Sequence, residues 1–180
     1  GPINLTINKN ETLFITGGNG SGKSTLMRVL TALYPPASGS ILIDGKKLRP
    51  KDYQSYRELF ATVFGDFHLS RYLDGVRVFD DELAEELIEK LELPEKVYID
   101  DNAFSDVDLS TGQRKRIALV AAVLEKRKVL ILDEWAADQD PLFRRKFYRE
   151  ILPMLKNMGI TIIAITHDSR FFDASDNQLH

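Results

Sequence analysis

Residues 17–24 read Gly17-Gly18-Asn19-Gly20-Ser21-Gly22-Lys23-Ser24. An apolar run precedes them and a helical pattern follows, which is the context that a phosphate-binding loop (P-loop) of this spacing requires. The glycines let consecutive backbone amides converge on phosphate oxygens, and the start of the helix adds positive potential. Lys23 would reach the outer phosphates and Ser24 would bind magnesium. The alternative is a glycine-rich turn without a ligand, but the context favours a phosphate site.

The composition describes one globular unit and excludes several classes of site. With 180 residues and 43% hydrophobic content, the chain can bury one core and carry an inserted subdomain. A net charge of -3 argues against a nucleic-acid-binding protein, which carries a basic surface. The absence of cysteine excludes disulfides and thiolate metal sites, and three scattered histidines argue against a zinc centre. The short basic run 114–116 is expected to lie on a solvated face.

Membrane-spanning and export signals are also missing from the sequence. No apolar run approaches the ~20 residues of a membrane helix, and no basic region followed by an apolar stretch opens the chain. If a membrane is involved, another segment or subunit is expected to span it.

Strand and helix patterns alternate along the chain. Apolar runs too short for helices predict strands over 13–16, 41–43, 129–132 and 160–166, and helical patterns cover 23–33, 111–126 and 141–157. The last two strands lack alternation, which is typical of strands buried on both faces of a parallel sheet. The order predicts an α/β layer with right-handed crossovers.

The region from about residue 66 to residue 109 differs from the rest. It contains an acidic amphipathic helical pattern over 80–91 and no convincing buried strand. We therefore predict a core formed by residues 1–65 and 111–180, with residues 66–110 forming a helical subdomain inserted into it.

Two carboxylates close the third apolar run. Asp133 and Glu134 follow residues 129–132, and ligands of parallel sheets bind beyond the carboxyl ends of the strands, where the P-loop also lies. Neighbouring side chains on an extended backbone point in opposite directions, so the two acids can divide the work. Asp133 would hold magnesium through water, and Glu134 would orient and deprotonate the attacking water. The alternative is an acidic strand exit without a function.

His167 follows the fourth apolar run and therefore belongs at the same edge of the sheet. An isolated histidine in a turn is usually structural, but this position would let it bind the terminal phosphate and help to fix the attacking water.

A second phosphate site is predicted at the start of the helix over 111–126. Ser110 followed three residues later by Gln113 is a capping box, which is a sufficient structural explanation. Gly112, however, lowers the stability of the helix by about 1 kcal/mol, which capping alone does not explain. Bare amides and a hydroxyl at a helix N-terminus form an anion site.

Together these residues resemble the ATP-binding cassette family, through the P-loop, the LSTGQ signature (109–113), the Asp-Glu strand end and the downstream histidine, in that order. The resemblance covers nearly the whole chain and implies a P-loop NTPase (RecA-like) α/β fold, with ATP and Mg2+ as cofactors. In that family two cassettes pair head to tail, and each ATP lies between the P-loop of one and the signature of the other. Asp140 matches the aspartate of the loop that couples the two sites.

The resemblance assigns roles to individual residues. Catalysis falls to Glu134, His167 and Lys23, and magnesium to Ser24 and Asp133. Asp66 is added as a candidate magnesium residue, at a position where the sequence departs from the family. The residues expected to contact ATP are Gly17, Gly18, Asn19, Gly20, Ser21, Gly22, Lys23, Ser24 and Thr25 in one cassette and Ser110, Thr111, Gly112 and Gln113 in the other.

A closer resemblance is to exporters of cyclic peptides and siderophores, carried by residues 1–7, 63–69 and 133–141. Trp135 is the telling residue, because most cassettes have proline there. In such exporters the cassette follows a membrane domain on the same polypeptide, at the cytoplasmic face of the inner membrane. The chain is then expected to be a C-terminal piece, whose partners are a second cassette and that membrane domain, and no nucleic acid.

Three departures from the family are visible. Gly65 and Asp66 stand where most cassettes carry a glutamine that contacts magnesium, so Asp66 is the candidate replacement. The chain begins after the strand that carries the adenine-stacking aromatic residue, so base recognition is expected to be weak. It stops at 176–180, where further strands are expected. Gly1-Pro2 matches the family and also resembles a protease-cleavage scar.

Three other functions compete with an exporter motor. One is a soluble cassette ATPase of translation or DNA repair, which the flanking sequence would decide. Another is a small-molecule kinase, against which the LSTGQ helix argues. The third is a nucleotide-binding module that does not hydrolyse, which the presence of both Glu134 and His167 disfavours.

Overall fold

A computed structural model describes residues 3–18, 20–65 and 69–180. Gly1, Pro2, Asn19 and Asp66 are outside the described residues. Nine strands are present in the described ranges: β1 (Thr12–Ile15), β2 (Leu42–Ile43), β3 (Lys46–Lys47), β4 (Phe60–Val63), β5 (Ile99–Asp100), β6 (Ala103–Phe104), β7 (Val129–Asp133), β8 (Thr161–Ile165) and β9 (Asn177–Leu179).

The main sheet is parallel throughout and has the order β4-β7-β8-β1-β9. Its central strands are buried on both faces, as the unbroken apolar patterns of β7 and β8 predict. The α/β parallel-sheet prediction is therefore confirmed. Because all five strands run the same way, the segments that follow β1, β7 and β8 meet at one edge.

Helices cover both faces of this sheet. The α-helices of the described residues are α1 (Lys23–Leu30), α2 (Tyr53–Arg57), α3 (Asp81–Lys90), α4 (Thr111–Leu124), α5 (Pro141–Lys146) and α6 (Leu152–Asn157). A π-helical turn over Phe147–Ile151 joins α5 to α6, so the helical pattern predicted over 141–157 is one continuous helical run. Helix α1 ends earlier than predicted, because Ala32 has a positive φ.

The buried side chains form two clusters on opposite faces of the sheet. The larger one joins the sheet to α3, α4, α5 and α6 around Phe14, Trp135 and Phe147. The smaller one packs α1 on the other face, around Met27 and Ile163. These two layers hold the strands, and so the loops at their carboxyl ends, in fixed positions.

The segment between β4 and α4 contains the predicted acidic helix, here α3, in which Asp80 accepts a hydrogen bond from the Leu83 amide as an N-cap. It also contains a two-stranded antiparallel hairpin, β5-β6. The expectation that this segment has no buried strand is therefore wrong at Phe104, which is fully buried in β6.

The strand predictions are wrong for residues 41–43 and incomplete for the main sheet. The apolar run 41–43 is no part of the main sheet, because it pairs with Lys46–Lys47 in a separate hairpin where Leu42 is 60% exposed. Strand β4 was not predicted, since four residues with one exposed position give no distinct pattern. Strand β9 was not predicted either: it pairs with β1, and the Thr16 amide donates to the Leu179 carbonyl.

In the described ranges, no helix is both long enough and apolar enough to cross a membrane.

Candidate functional site

Three of the predicted functional segments lie next to each other. The P-loop follows β1, Asp133 ends β7 with Glu134 directly after it, and His167 follows β8, which lies between those two strands. Asp133 is paired in register with Ile165, two residues before His167. The parallel sheet therefore brings the phosphate loop, the carboxylates and the histidine to one edge, as its topology predicts.

The P-loop has the backbone that its glycines permit. Gly17, Gly20 and Gly22 have positive φ angles of 132°, 78° and 90°, which side chains other than glycine rarely adopt. Gly22 is the residue before α1, and no described side chain caps that helix start. The first amides of α1 are thus left for an anion.

Lys23 is folded back over this loop. Its ammonium donates to the carbonyls of Gly17 and Gly18, both at 2.9 Å, and the residue is 9% exposed. An ammonium has three donors, and these bonds to described residues use two of them. The charge is therefore already centred in the loop, with a donor left for a phosphate oxygen.

The residues that would hold magnesium fit that ion. Ser24 and Thr25 are exposed at the start of α1, and Asp133 ends β7 across the sheet edge. Among the described residues, no group of three or more acidic, histidine or cysteine side chains converges as a metal cage. Mg2+ usually binds through one or two protein oxygens together with phosphates, so a hydroxyl and one carboxylate beside a phosphate loop suit it.

Glu134 and His167 are in contact. The His167 Nε2 and the Glu134 Oε1 are 3.0 Å apart, and both side chains are about half exposed, at 42% and 44%. The expectation of an extended backbone at Glu134 is wrong: its φ of 49° and ψ of 32° are left-handed. The strand ends at Asp133, and this turn, instead of strand alternation, separates the directions of the two carboxylates.

A cavity of about 270 Å3 opens beside this pair. Tyr148 forms part of its wall and shares a 2.6 Å hydrogen bond with Thr166, and burial raises the pKa of the Tyr148 hydroxyl. Asp168 is held by two hydrogen bonds from Arg170, which lower its pKa. The cavity lining thus contains fixed charges next to the catalytic candidates.

The start of α4 has the predicted capping box. The Ser110 hydroxyl accepts from the Gln113 amide, and the Gln113 side chain accepts from the Ser110 amide, both at 3.3 Å. Gly112 has a structural reason that the sequence did not reveal, because a Cβ there would lie 2.8 Å from the Asp138 carbonyl oxygen. Close backbone packing, in addition to any ligand, therefore requires glycine at this position.

The segment over residues 135–140 packs on α4 through several hydrogen bonds. Gln139 accepts from Arg116 Nε at 2.8 Å and donates to the Gly112 carbonyl at 3.1 Å. Asp140 caps α5, and the hydrogen bond from the Phe143 amide lowers its pKa. The signature helix and this segment are therefore tied into one unit.

The expected solvated face at residues 114–116 is wrong for two of its three members. Arg114 is exposed, but Lys115 and Arg116 are only 3% and 8% exposed. Arg116 lies over the Phe143 ring, 3.3 Å from its centroid, and Lys115 forms an ion pair with Asp138. Both cations are buried because partners from the 135–140 segment satisfy them.

Sequence reasoning missed Lys115, Gln139 and Arg144 as parts of this region. Arg144 donates to the backbone carbonyls of Ala136, Ala137 and Gln139 at 2.9–3.1 Å. One signal in the sequence indicated that Lys115 is buried, namely its position next to apolar residues of the helix. That signal could not identify its partner Asp138, which lies 23 residues further along the chain.

We expect the substitution Gly112→Ala to lower the free energy of unfolding by about 1–3 kcal/mol, because the added methyl group overlaps the Asp138 carbonyl. Chemical denaturation checks this. Gly18→Ala is the matched control, since a Cβ at Gly18 meets nothing within 4 Å. Equal unfolding free energies for the two variants would contradict the packing argument.

Residues 1–137 match the family model described as ABC transporter.

Two curated relatives illustrate the likeness. ATP-binding protein SyrD of Pseudomonas syringae pv. syringae is 47% identical over 180 residues, which cover 98% of this chain and 32% of the relative. Energy-coupling factor transporter ATP-binding protein EcfA3 of Clostridium perfringens is 35% identical over 179 residues, covering 92% of this chain and 62% of the relative. The chain thus spans about a third to two thirds of the length of these relatives.

Solved structures agree in fold. CbiO1 of Clostridium perfringens, part of the transporter complex cbiONQ, superimposes with a TM-score of 0.75 at 32% identity, over 98% of this chain and 75% of that one. The cassette MJ0796, dimeric in a post-hydrolysis state with ADP and Pi, gives a TM-score of 0.77 at 25% identity, over 98% of this chain and 84% of that one. The neighbours therefore include a dimeric cassette bound to ADP and Pi.

Proposed function

The chain belongs to the ABC transporter family of ATP-binding cassettes, which bind and hydrolyse ATP, and from this we propose that it is the motor of an exporter for peptide-like or siderophore-like cargo. The observation that carries the motor assignment is the convergence of the P-loop, Glu134 and His167 at one sheet edge. The exporter assignment is supported by the resemblance of residues 1–7, 63–69 and 133–141 to exporters of cyclic peptides and siderophores.

ATP binding is assigned to the loop over residues 17–25. The uncapped start of α1 and the Lys23 ammonium supply positive potential where the phosphates would lie. Bound Mg2+ would neutralise phosphate charge, held by Ser24 and by Asp133 through water. ATP is thus bound mainly by its phosphates.

Hydrolysis is assigned to Glu134 as general base. Its carboxylate takes a proton from water, whose oxygen bonds to the γ-phosphorus while the bond to the β–γ bridging oxygen breaks and ADP leaves with that electron pair. His167, whose Nε2 is 3.0 Å from the Glu134 Oε1, holds this carboxylate in place and would bind the terminal phosphate. The pair therefore fixes both the base and the water.

The working unit is proposed to be a head-to-tail dimer. Ser110, Thr111, Gly112 and Gln113 start a helix on the surface of the chain, and a phosphate bound there would come from a partner's nucleotide. The dimeric state of MJ0796 with ADP and Pi supports this arrangement. Membrane partners and a position at the cytoplasmic face of the inner membrane are part of the same proposal.

Phosphate release tests the motor assignment. The full-length protein with Mg-ATP is expected to release inorganic phosphate in buffer that contains no acceptor, and EDTA should stop the release. A small-molecule kinase would release almost none until an acceptor hydroxyl compound is added, so dependence on an acceptor would overturn the proposal.

Vesicle uptake tests the cargo assignment. Inside-out membrane vesicles that contain the full-length protein should accumulate a labelled cyclic peptide when ATP is added, and accumulation should stop when ATP is replaced by ADP. Robust ATPase activity without membrane association would instead favour a soluble cassette ATPase.

Asp66 is proposed as a further magnesium contact from its sequence position alone. We expect Asp66→Ala to raise the Mg2+ concentration needed for half-maximal hydrolysis and to reduce cargo-stimulated ATPase activity in the full-length protein. Titration of Mg2+ at saturating ATP measures the first effect. Unchanged magnesium dependence and transport would show that Asp66 has no such role.

A further inference from the structure

Lys115 is a buried cation that the proposed mechanism does not use. It lies one turn into α4, and its side chain is only 4% exposed. Its Nζ donates to the Asp138 Oδ2 at 2.6 Å and to the backbone carbonyl of Glu134 at 3.1 Å. Since burying an ammonium is costly without partners, these two contacts account for its position.

The second of these contacts falls on a strained residue. Glu134 has a left-handed backbone, which costs a residue with a side chain about 1–2 kcal/mol, and such strain persists only where the surroundings enforce it. The Glu134 amide donates to Ile165, and its carbonyl accepts from the Ala137 amide and from Lys115. In the described residues, Lys115 is the one side chain that bonds this backbone.

Lys115 is also tied to the residue after Glu134. The Trp135 indole N–H donates to the Lys115 backbone carbonyl at 2.8 Å, and the indole is 1% exposed against Phe147. Residue 115 thus contacts the strained residue 134 and two residues that follow it, 135 and 138. The bonds of Arg116 and Gln139 hold the far end of the 135–140 segment and do not touch Glu134.

The geometry points to Lys115 as a positioning residue that fixes the backbone of Glu134, and through it the direction of the carboxylate that activates water. This inference rests on the proposed role of Glu134. The Lys115 side chain is only 4% exposed, so we expect no contact with ATP, and its effect should fall on the chemical step and leave nucleotide binding unchanged. The same side chain also holds Asp138, which packs beside Gly112 of the LSTGQ signature. In the proposed dimer, Lys115 therefore connects the general base of one nucleotide site to the signature that contacts the second nucleotide.

The test is Lys115→Met in the full-length protein. Methionine keeps the aliphatic volume, and Asp138, which is 45% exposed, stays solvated without its partner, so the fold should survive. We expect kcat to fall about tenfold to a hundredfold, as misplacement of a catalytic group by about 1 Å does. The KM for ATP and the melting temperature should stay close to those of the wild type.

Lys126→Met is the matched control. It removes another lysine–aspartate pair of similar length, 2.7 Å to Asp80, just beyond the C-terminal end of α4, where the lysine is half exposed. This variant should keep the wild-type kcat. A Lys115→Met variant with wild-type kcat, or with a loss of ATP affinity as large as its loss of kcat, would overturn the inference.

A double substitution separates this inference from the proposed function. If Lys115 acts through Glu134, adding Lys115→Met to Glu134→Gln lowers the slow single-turnover hydrolysis no further, and ATP-induced dimerisation in sedimentation is unchanged. An additive loss, or loss of the dimer, would show that Lys115 acts elsewhere. If Glu134→Gln alone hydrolyses at the wild-type rate, the proposed role of Glu134 fails; if it is inactive while Lys115→Met is fast, only the Lys115 inference fails.

Discussion

Replacement of Glu134 by glutamine is expected to abolish ATP hydrolysis almost completely while leaving ATP binding intact. Glutamine keeps the shape of the side chain and can still bond to His167 Nε2, now 3.0 Å from Oε1, but it cannot accept the proton of the attacking water. Loss of a general base lowers rates by about a hundredfold or more. Phosphate release at saturating Mg-ATP, measured in the full-length protein, checks this.

The same variant should also reveal the dimer. With hydrolysis blocked, two ATP molecules remain between the cassettes. Sedimentation velocity with Mg-ATP, on a cassette extended at both ends to include the flanking strands, should therefore show mostly dimer for Glu134→Gln and mostly monomer for the wild type. Glu150→Gln is the control, since Glu150 is an exposed glutamate in the π-helical turn. A Glu134→Gln variant that stays monomeric at saturating ATP, or hydrolyses as fast as the control, would defeat the proposal.

Substitution of Lys23 by alanine is expected to have the second large effect. The Lys23 ammonium is 9% exposed and centred in the P-loop, so the triphosphate loses its main cationic contact there. Hydrogen bonds to charged groups contribute about 1.5–3 kcal/mol, which corresponds to a loss of ATP affinity of roughly ten- to a hundredfold. Isothermal titration calorimetry measures it.

The loss of affinity in Lys23→Ala should be specific for the phosphates, and this specificity identifies the P-loop as the phosphate site. Adenosine has no phosphate, so its affinity should change far less than that of ATP. Lys90→Ala changes the net charge by the same amount at an exposed position in the last turn of α3, and should leave both affinities unchanged. Equal ATP affinity for Lys23→Ala and the wild type would end the assignment of the P-loop as the phosphate site.

Local patterns predicted the parts of the fold that depend on neighbouring residues. Strands β7 and β8 are continuous apolar runs, and the P-loop and the capping box are fixed by residues within one turn of each other. Strands β4 and β9 could not be predicted, because their stability comes from pairing with β7 and β1 at the edges of the sheet. The place of residues 41–43 outside the main sheet could not be predicted for the same reason, because it depends on pairing with Lys46–Lys47.

The candidate site divides in a similar way. The positions of Lys23, Glu134 and His167 follow from their places after strands, whereas the burial of Lys115 depends on Asp138, which lies far along the chain. A short basic run beside a polar motif is usually solvated, so no local signal identified these partners. The left-handed turn at Glu134 could not be predicted either, because its backbone bonds to Ile165 and Lys115, which are distant in the sequence.

That left-handed turn sets stability and activity against each other at position 134. The backbone there suits glycine or asparagine better than glutamate, since these tolerate a φ of 49° at little cost. A screen that selects variants for thermal stability alone should therefore enrich glycine and asparagine at this position. The selected proteins should be more stable than the wild type but unable to hydrolyse ATP. Improvement of the scaffold for use as an engineered ATPase would have to keep this residue fixed and seek gains elsewhere.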